Sequence, residues 1–240
     1  MPNWVFNTMS ITGKEEDLKK FVEKAKKPHN TYWEDWKTKE IKEEIDDRVI
    51  SFWNFIKPEN EQLYFGASDY KPEGYDQLTD AEKMALSMSF KSDGWYDWNI
   101  RNWGTKWDTS DPYLEDNSKK GEVQYQFSTA WSPAEGAYRA MVEQHPELTF
   151  DFHCEEEQGW GVKYAGESGE LVVVEEWDIP NSHADYKERD NEDGCVCSWD
   201  ADDPENWYDD CPNKAEQVAK LVEGTEEVVA KFEDISEMIV

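Results

Sequence analysis

Four sets of residues have the types and spacing to do chemistry. Cys195, Cys197 and Cys211, with Cys154, His153 and His183, are the donors a zinc ion would need. Zinc ligands usually come in close pairs two to four residues apart. Cys195-Val196-Cys197 is tighter than that and a second close pair is missing, so free or incidentally paired thiols are expected. Asp200, Asp202, Asp203, Asp209 and Asp210 supply the oxygens that calcium takes in sets of six to eight. The glycine that opens the sharp turn of an EF-hand is absent and Pro204 interrupts the run. No cofactor is therefore expected, with Ca or Zn as the weak alternative.

The third set is aromatic: Trp95, Tyr96, Trp98, Trp103 and Trp107. Stacked indoles favour flat ligands or cations. The competing and favoured role is a core helix lying across the open face of a sheet, where each Trp can bury about 200 Å². Trp95 with Trp98, and Trp103 with Trp107, are spaced to share a helix face. Asp97, Asn99, Arg101, Asn102, Lys106 and Asp108 then project from the other side or tie down the helix ends. Arg101 and Lys106 are expected to pair with carboxylates rather than hold a phosphate. The fourth set is the surplus of acids. Paired carboxylates can hydrolyse glycosides, but acids this abundant carry no signal for that reaction. No Ser-His-Asp or Cys-His frame is recognisable, and Gly159-Trp160-Gly161 is a lone turn rather than a phosphate loop.

The surplus is large: 55 acids against 25 Lys and Arg in 240 residues, a formal charge of −30. Each phosphate contact needs a cation to replace its counterions, so direct nucleic-acid binding and anionic membranes are excluded as partners. Aromatic residues make up 14% of the chain, which argues against disorder despite the charge. No stretch approaches the roughly 18 apolar residues of a membrane span. The opening MPNWVFNTMSITG has no basic start and no apolar core, so no secretory signal is read and a cytoplasmic protein is expected. Four cysteines are too few for a disulfide scaffold of this size.

The elements that must position these groups follow from periodicity. Trp4 to Thr12 reads as a strand and Glu15 to Lys27 as a helix with Leu18, Phe21, Val22 and Ala25 on one face. Tyr32 to Arg48 is weakly patterned and reads as helix, and Val49 to Ile56 as a strand. Glu59 to Tyr75 reads as loop and Thr79 to Phe90 as a short helix. Glu122 to Trp131 alternates cleanly. Ser132-Pro133-Ala134-Glu135 starts a helix that ends at Pro146. Leu148 to Cys154 alternates again, and Gly159 to Ala165 with Leu171 to Trp177 forms a hairpin around Glu167-Ser168-Gly169. Asp185 to Asp210 holds eleven acids against Lys187 and Arg189 and few aliphatics. Asn213 to Val240 is amphipathic. The order predicts an α+β chain: a ferredoxin-like βαββαβ sheet with an aromatic-rich helical insertion, an added hairpin and a C-terminal helix. Residues 1–180 form the domain with the insertion at about 59–120, followed by an acidic loop at 181–212 and the helix at 213–240.

Four segments go further: MPNWVFNTMSITG, SFWNFIKP, GWYDWNIRNWGTKWD and FSTAWSPAEGAYRAMVEQHPELTF. Together they resemble the YubB-type ferredoxin-like family, known mostly as short proteins of bacteriophages, plasmids and other mobile elements. The resemblance spans roughly residues 1–165. Val5 stands where the family often has Cys, and the acidic stretch and last helix lie beyond it. The resemblance implies the fold and a phage or mobile-element origin. It implies little chemistry, because the family has no established activity.

The leading expectation is a non-enzymatic accessory protein that binds and inhibits a basic host protein. The target would be a nucleic-acid-targeting defence factor, met through a DNA-mimic-like acidic surface. The binding residues would be Glu155, Glu156, Glu157, Glu175, Glu176 and Asp178, with Asp200, Asp202, Asp203, Asp209 and Asp210. The alternatives are a small-molecule- or metal-binding module, and an enzyme using an acid- and Trp-lined cleft.

Overall fold

A computed structural model describes residues 2–34, 37–38, 41–66, 71, 74–179, 182, 184, 211 and 214. The chain divides into two units, Met1–Asp178 and Ile179–Val240. The expected acidic loop and C-terminal helix, with all five of Asp200 to Asp210 named above, fall almost entirely outside the described residues.

The first unit is α+β and ferredoxin-like. Strand β1 (Trp4–Thr12) leads to helix α1 (Glu15–Ala25), whose first turn is acidic and whose last turn carries Lys24, as the helix dipole favours. Next come β2 (His29–Glu34), β3 (Ile41–Asp46), a 3-10 turn at Phe52–Asn54, α2 (Glu61–Gly66), α3 (Asp80–Asp93) and α4 (Trp95–Asn102). Then follow β4 (Ser110–Asn117), β5 (Glu122–Ala130), α5 (Glu135–Gln144), β6 (Thr149–Glu156), β7 (Gly161–Glu167) and β8 (Glu170–Trp177). Six strands form one antiparallel sheet in the order β4-β5-β1-β6-β7-β8, and β2 and β3 pair separately. The succession β1-α1-β4-β5-α5-β6 is the βαββαβ plan, and β7-β8 extends its sheet beyond β6. Ser168 and Gly169 both take positive φ (54° and 85°), the conformation of a tight hairpin turn between β7 and β8. No described helix is long and apolar enough to cross a membrane.

Two segments depart from their sequence patterns. Val49 to Ile56 is not a strand. Ser51 Oγ caps a 3-10 turn by accepting from the Trp53 N–H, and the buried residues Ile50, Phe52, Trp53 and Phe55 do not alternate. The second strand of the plan is β4 instead, so residues 26–109 separate it from α1. The stretch read as helix from Tyr32 to Arg48 forms most of the β2-β3 hairpin, with Tyr32 opposite Glu43 and Trp33 opposite Lys42.

The core lies on one face of the sheet. Val5, Met9 and Ile11 of β1, Val123, Tyr125 and Phe127 of β5, and Phe150, Phe152 and Cys154 of β6 are buried against α1 and α5. Asn7 sits among them. Its amide donates to the carbonyls of Val5 (2.8 Å) and Phe127 (3.2 Å) and to Thr129 Oγ1 (3.1 Å), while its Oδ1 accepts from the Tyr138 hydroxyl (2.8 Å). Each polar atom of the side chain is thus bonded, as burial requires. The aromatic insertion joins this same face: Trp103 and Phe127 both pack edge-on to Phe52, which also meets Tyr138. The expectation that the Trp-rich helix crosses the open face of the sheet is therefore corrected. Core burial of Trp98 and Trp103 holds, on the helix-bearing side.

Candidate functional site

The insertion is fastened to the domain by a small polar network. Asp108 is its centre: Ser51 Oγ donates to Oδ2 (2.5 Å), and the Phe52 and Thr109 N–H groups donate to Oδ1 (2.8 and 2.7 Å). Arg48 lies beside it. Its Nε and Nη2 grip Asp46 (2.8 and 2.6 Å), and its Nη1 donates to the Thr109 carbonyl. Burial raises the Asp108 carboxyl above the usual carboxylate range, and the Arg48 charge with the three donors offsets only part of that. Burial also acts against ionisation of Asp46, but its direct bonds to Arg48 win and hold it below the usual range. Asn99 accepts from the Tyr64 hydroxyl (2.8 Å) and donates to the Lys106 carbonyl (2.9 Å), while Trp103 Nε1 donates to the Ile56 carbonyl (2.9 Å).

These contacts floor a cleft of about 580 Å³. Its walls are Tyr32 and Trp33 from β2, Trp53, Tyr64 and Phe65, and Trp95, Trp103 and Trp107. Concave sites with aromatic walls and a few converging polar groups are where small molecules bind. Most of the polar floor is already engaged within the protein. His29, stacked on Trp53 with its ring 5.6 Å away, keeps a buried Nδ1 without a partner.

Trp107 belongs to a second cluster as well. The Lys106 ammonium lies 4.5 Å from the centre of the Trp107 ring, 4.7 Å from Trp131 and 5.5 Å from Tyr96. All three are within cation–π range. Trp131 stacks on Trp107 at 6.5 Å, and Trp4 backs Trp107 at 6.0 Å. Lys106 thus packs on rings, where an ion pair with a carboxylate was expected. Helix α4 ends at Asn102 and Gly104 turns the chain at φ 90°, so Trp103 and Trp107 do not share a helix face.

The acids named from sequence divide. Glu156 is only 2% exposed: its Oε2 accepts from the Gln158 N–H (2.7 Å), and its Oε1 is buried without a partner. It faces inward and is withdrawn from the binding surface. Glu175 pairs with Lys163 across the β7-β8 ladder (2.7 Å), and Glu155 lies 3.6 Å from His153 Nε2. Glu157, Glu176 and Asp178 are exposed, and among the described residues no lysine or arginine pairs with them. Of the candidate zinc donors, Cys154 is buried beside the Tyr138 hydroxyl, and burial pushes its thiol up to about 12. His153 lies on the opposite face of the same strand. Among the described residues no three His, Cys, Asp or Glu converge on a metal position. Sequence reasoning missed Arg48, Asp46 and Trp131. The only available signal for Trp131 was an aromatic residue between a strand and the Ser-Pro start of a helix.

No curated protein matches the chain. Among solved structures, the crystal structure of a protein api92 from Yersinia pseudotuberculosis is 9% identical, over 75% of this chain and 99% of that one, with a TM-score of 0.41. Residues 102–197, which hold β4, β5, α5, β6 and the β7-β8 hairpin, match the family model described as the ferredoxin-like domain in Api92-like protein.

Proposed function

We propose that the chain is a non-enzymatic binding protein that engages a basic partner protein through the acidic edge of its sheet. One observation carries this reading. Between Thr149 and Asp178 the chain has nine acids and, apart from His153, one basic residue, Lys163, which Glu175 already neutralises. Glu157, Glu176 and Asp178 are left exposed at the β6-β8 end of the sheet. A low-dielectric body with carboxylates on one border focuses a negative potential that attracts basic clefts and speeds their association at low salt. Asp200, Asp202, Asp203, Asp209 and Asp210, which lie outside the described residues, belong to the same proposal. In its finer form, the protein is a phage or mobile-element accessory factor that presents the potential of a nucleic-acid backbone to a host defence protein. The resemblance of its opening and aromatic segments to such families supports that form.

A second reading has its own observation. The aromatic cleft, walled by Trp33, Trp53, Trp95 and Trp107, suits a flat small molecule.

The test measures affinity for a panel of purified basic nucleic-acid-binding proteins across salt, with duplex DNA as competitor. The expected result is binding that falls steeply with salt, yields to DNA, and weakens in E157Q/E176Q/D178N. Binding that ignores salt, DNA, this variant and neutralisation of the five aspartates at 200–210 would overturn the proposal.

A further inference from the structure

We propose that Tyr96, Trp107 and Trp131 form a recognition site for an alkylated ammonium ion, and that the Lys106 ammonium shows how such a cation sits in it.

The geometry is that of a cation held by ring faces. The ammonium is almost equally distant from the two indoles, 4.5 and 4.7 Å, at the mouth of the slot between their stacked rings, and Tyr96 closes a third side. The rings remain open to solvent: Tyr96 is 41% exposed, Trp107 37% and Trp131 45%. The site offers quadrupoles, and among the described residues no cluster of acidic, histidine or cysteine ligands converges there. A hard, strongly hydrated cation such as calcium prefers oxygen ligands. An alkylated ammonium sheds water readily and is the cation that aromatic cages select.

The backbone supplies an independent argument. Trp131 has φ 69°. That left-handed conformation suits glycine and is an outlier for a bulky side chain. A residue needed there only to turn the chain from β5 toward α5 would be glycine. What a glycine would lose is the half-exposed indole and with it the ring contacts to Trp107 and Lys106. Strain of this kind gathers where a side chain must be held in place for recognition.

Lys106 is suited to be displaced. Its backbone is fixed by the bond from Asn99 Nδ2 to its carbonyl (2.9 Å), while among the described residues its ammonium is held by ring contacts at the end of a flexible stem. An incoming cation competes with it directly. If Lys106 fills the cage about nine-tenths of the time, removing it raises apparent affinity about tenfold. The formal charge of −30 further concentrates organic cations at the surface.

The same chemistry is carried by a small quaternary amine and by a trimethylated lysine side chain on a polypeptide. Calorimetric titration of the whole chain with choline and, separately, with N-acetyl-trimethyllysine methylamide at low salt distinguishes them. Sodium chloride at matched ionic strength is the control. The expected result is that one probe binds, that K106M binds it about tenfold more tightly, and that W131G abolishes binding while unfolding at the same or a higher temperature. Choline alone assigns a small amine, and the lysine probe alone assigns a polypeptide. No binding of either probe to K106M, or binding to W131G equal to that of the parent chain, overturns the site. A large drop in the unfolding temperature of W131G would make the indole a packing residue and overturn it too.

Discussion

Replacing Asp108 tests whether the aromatic insertion hangs on a single carboxylate. In D108A the N–H groups of Phe52 and Thr109 lose the oxygen they share, at 2.8 and 2.7 Å, and Ser51 Oγ loses its acceptor. An enclosed donor left unpaired costs about 1–3 kcal/mol, so two of them give a loss of about 2–6 kcal/mol. For a chain of this size each kcal/mol moves the midpoint by about 2–4 °C, so D108A should melt about 4–24 °C lower. D108N keeps an oxygen for both N–H groups and turns an amide toward Ser51 Oγ, and should lose about 1 kcal/mol. The pH dependence separates burial from ion pairing. Burial raises the folded carboxyl above its unfolded value, so the folded chain binds the proton more readily. Stability from this group therefore falls as pH rises through the usual carboxylate range toward the folded value, then levels. D108N lacks that slope. In urea titrations from pH 4 to 8, the advantage of the parent chain over D108N should be largest at the acid end and shrink upward. An advantage that grows with pH would mean that the Arg48 charge governs Asp108. A D108A loss below about 1 kcal/mol would mean that the carboxylate is not the anchor.

Three further substitutions or labels probe the packing around the site. A Cβ on Gly136 would lie 2.1 Å from the Asn102 carbonyl oxygen, backbone that cannot yield, so G136A should destabilise by about 2 kcal/mol or more although helical Gly→Ala ordinarily gains about 1 kcal/mol. A raised midpoint would deny the close approach of α4 and α5. Y138F removes the donor to Asn7 Oδ1 and should cost about 1–2 kcal/mol in urea unfolding with the fold retained; no change would mean that Asn7 finds another partner. The Cys154 thiol, pushed up to about 12 by burial, should resist iodoacetamide at pH 8 until denaturant is added, as read by peptide mass mapping. Labelling in the folded chain at the rate of a free thiol would contradict its burial.

The sheet and its two helices were legible because their patterns are clean. In β5, Val123, Tyr125 and Phe127 alternate with polar residues, and α1 repeats its apolar positions at helical spacing, because each element buries one face and wets the other. The second strand was not legible for a physical reason. Strand β4 carries Asp111, Pro112, Glu115 and Asp116, a composition hostile to strands, yet it lies at the sheet edge and has an irregular register between Ser110 and Tyr113. An edge tolerates a proline and charges that an interior strand would not. Val49 to Ile56 misled in the opposite sense. It is rich in β-formers because it is buried almost throughout, and burial on all sides leaves no period to read. The polar network was invisible because Arg48, Ser51 and Asp108 meet only once the insertion has folded back. The ring cluster around Lys106 was half visible: its Trp residues stood out, but Trp131 joins it through a backbone conformation that residue type does not announce.

The distribution of the bases gives the acids their meaning. Lys19 pairs with Glu15, Lys20 with Asp17, Lys57 with Glu61 and Arg139 with Glu135, each within one helical turn or a short local stretch. Such exposed pairs contribute only about 0.2–0.5 kcal/mol apiece, but they occupy the bases at the places where they stand. Within β6-β8 the one lysine or arginine is Lys163. Like charges crowded on one border repel, so that border costs the fold stability and does not repay it in contacts. Neutralising Glu157, Glu176 and Asp178 together should therefore leave the unfolding midpoint unchanged or raise it, most clearly at low salt where screening is weakest, while affinity for a basic partner drops. Opposite movements of stability and binding are the signature of a surface maintained for recognition. A fall in stability in the triple variant would show that these carboxylates hold the sheet edge together, and the case for them as a docking border would fail.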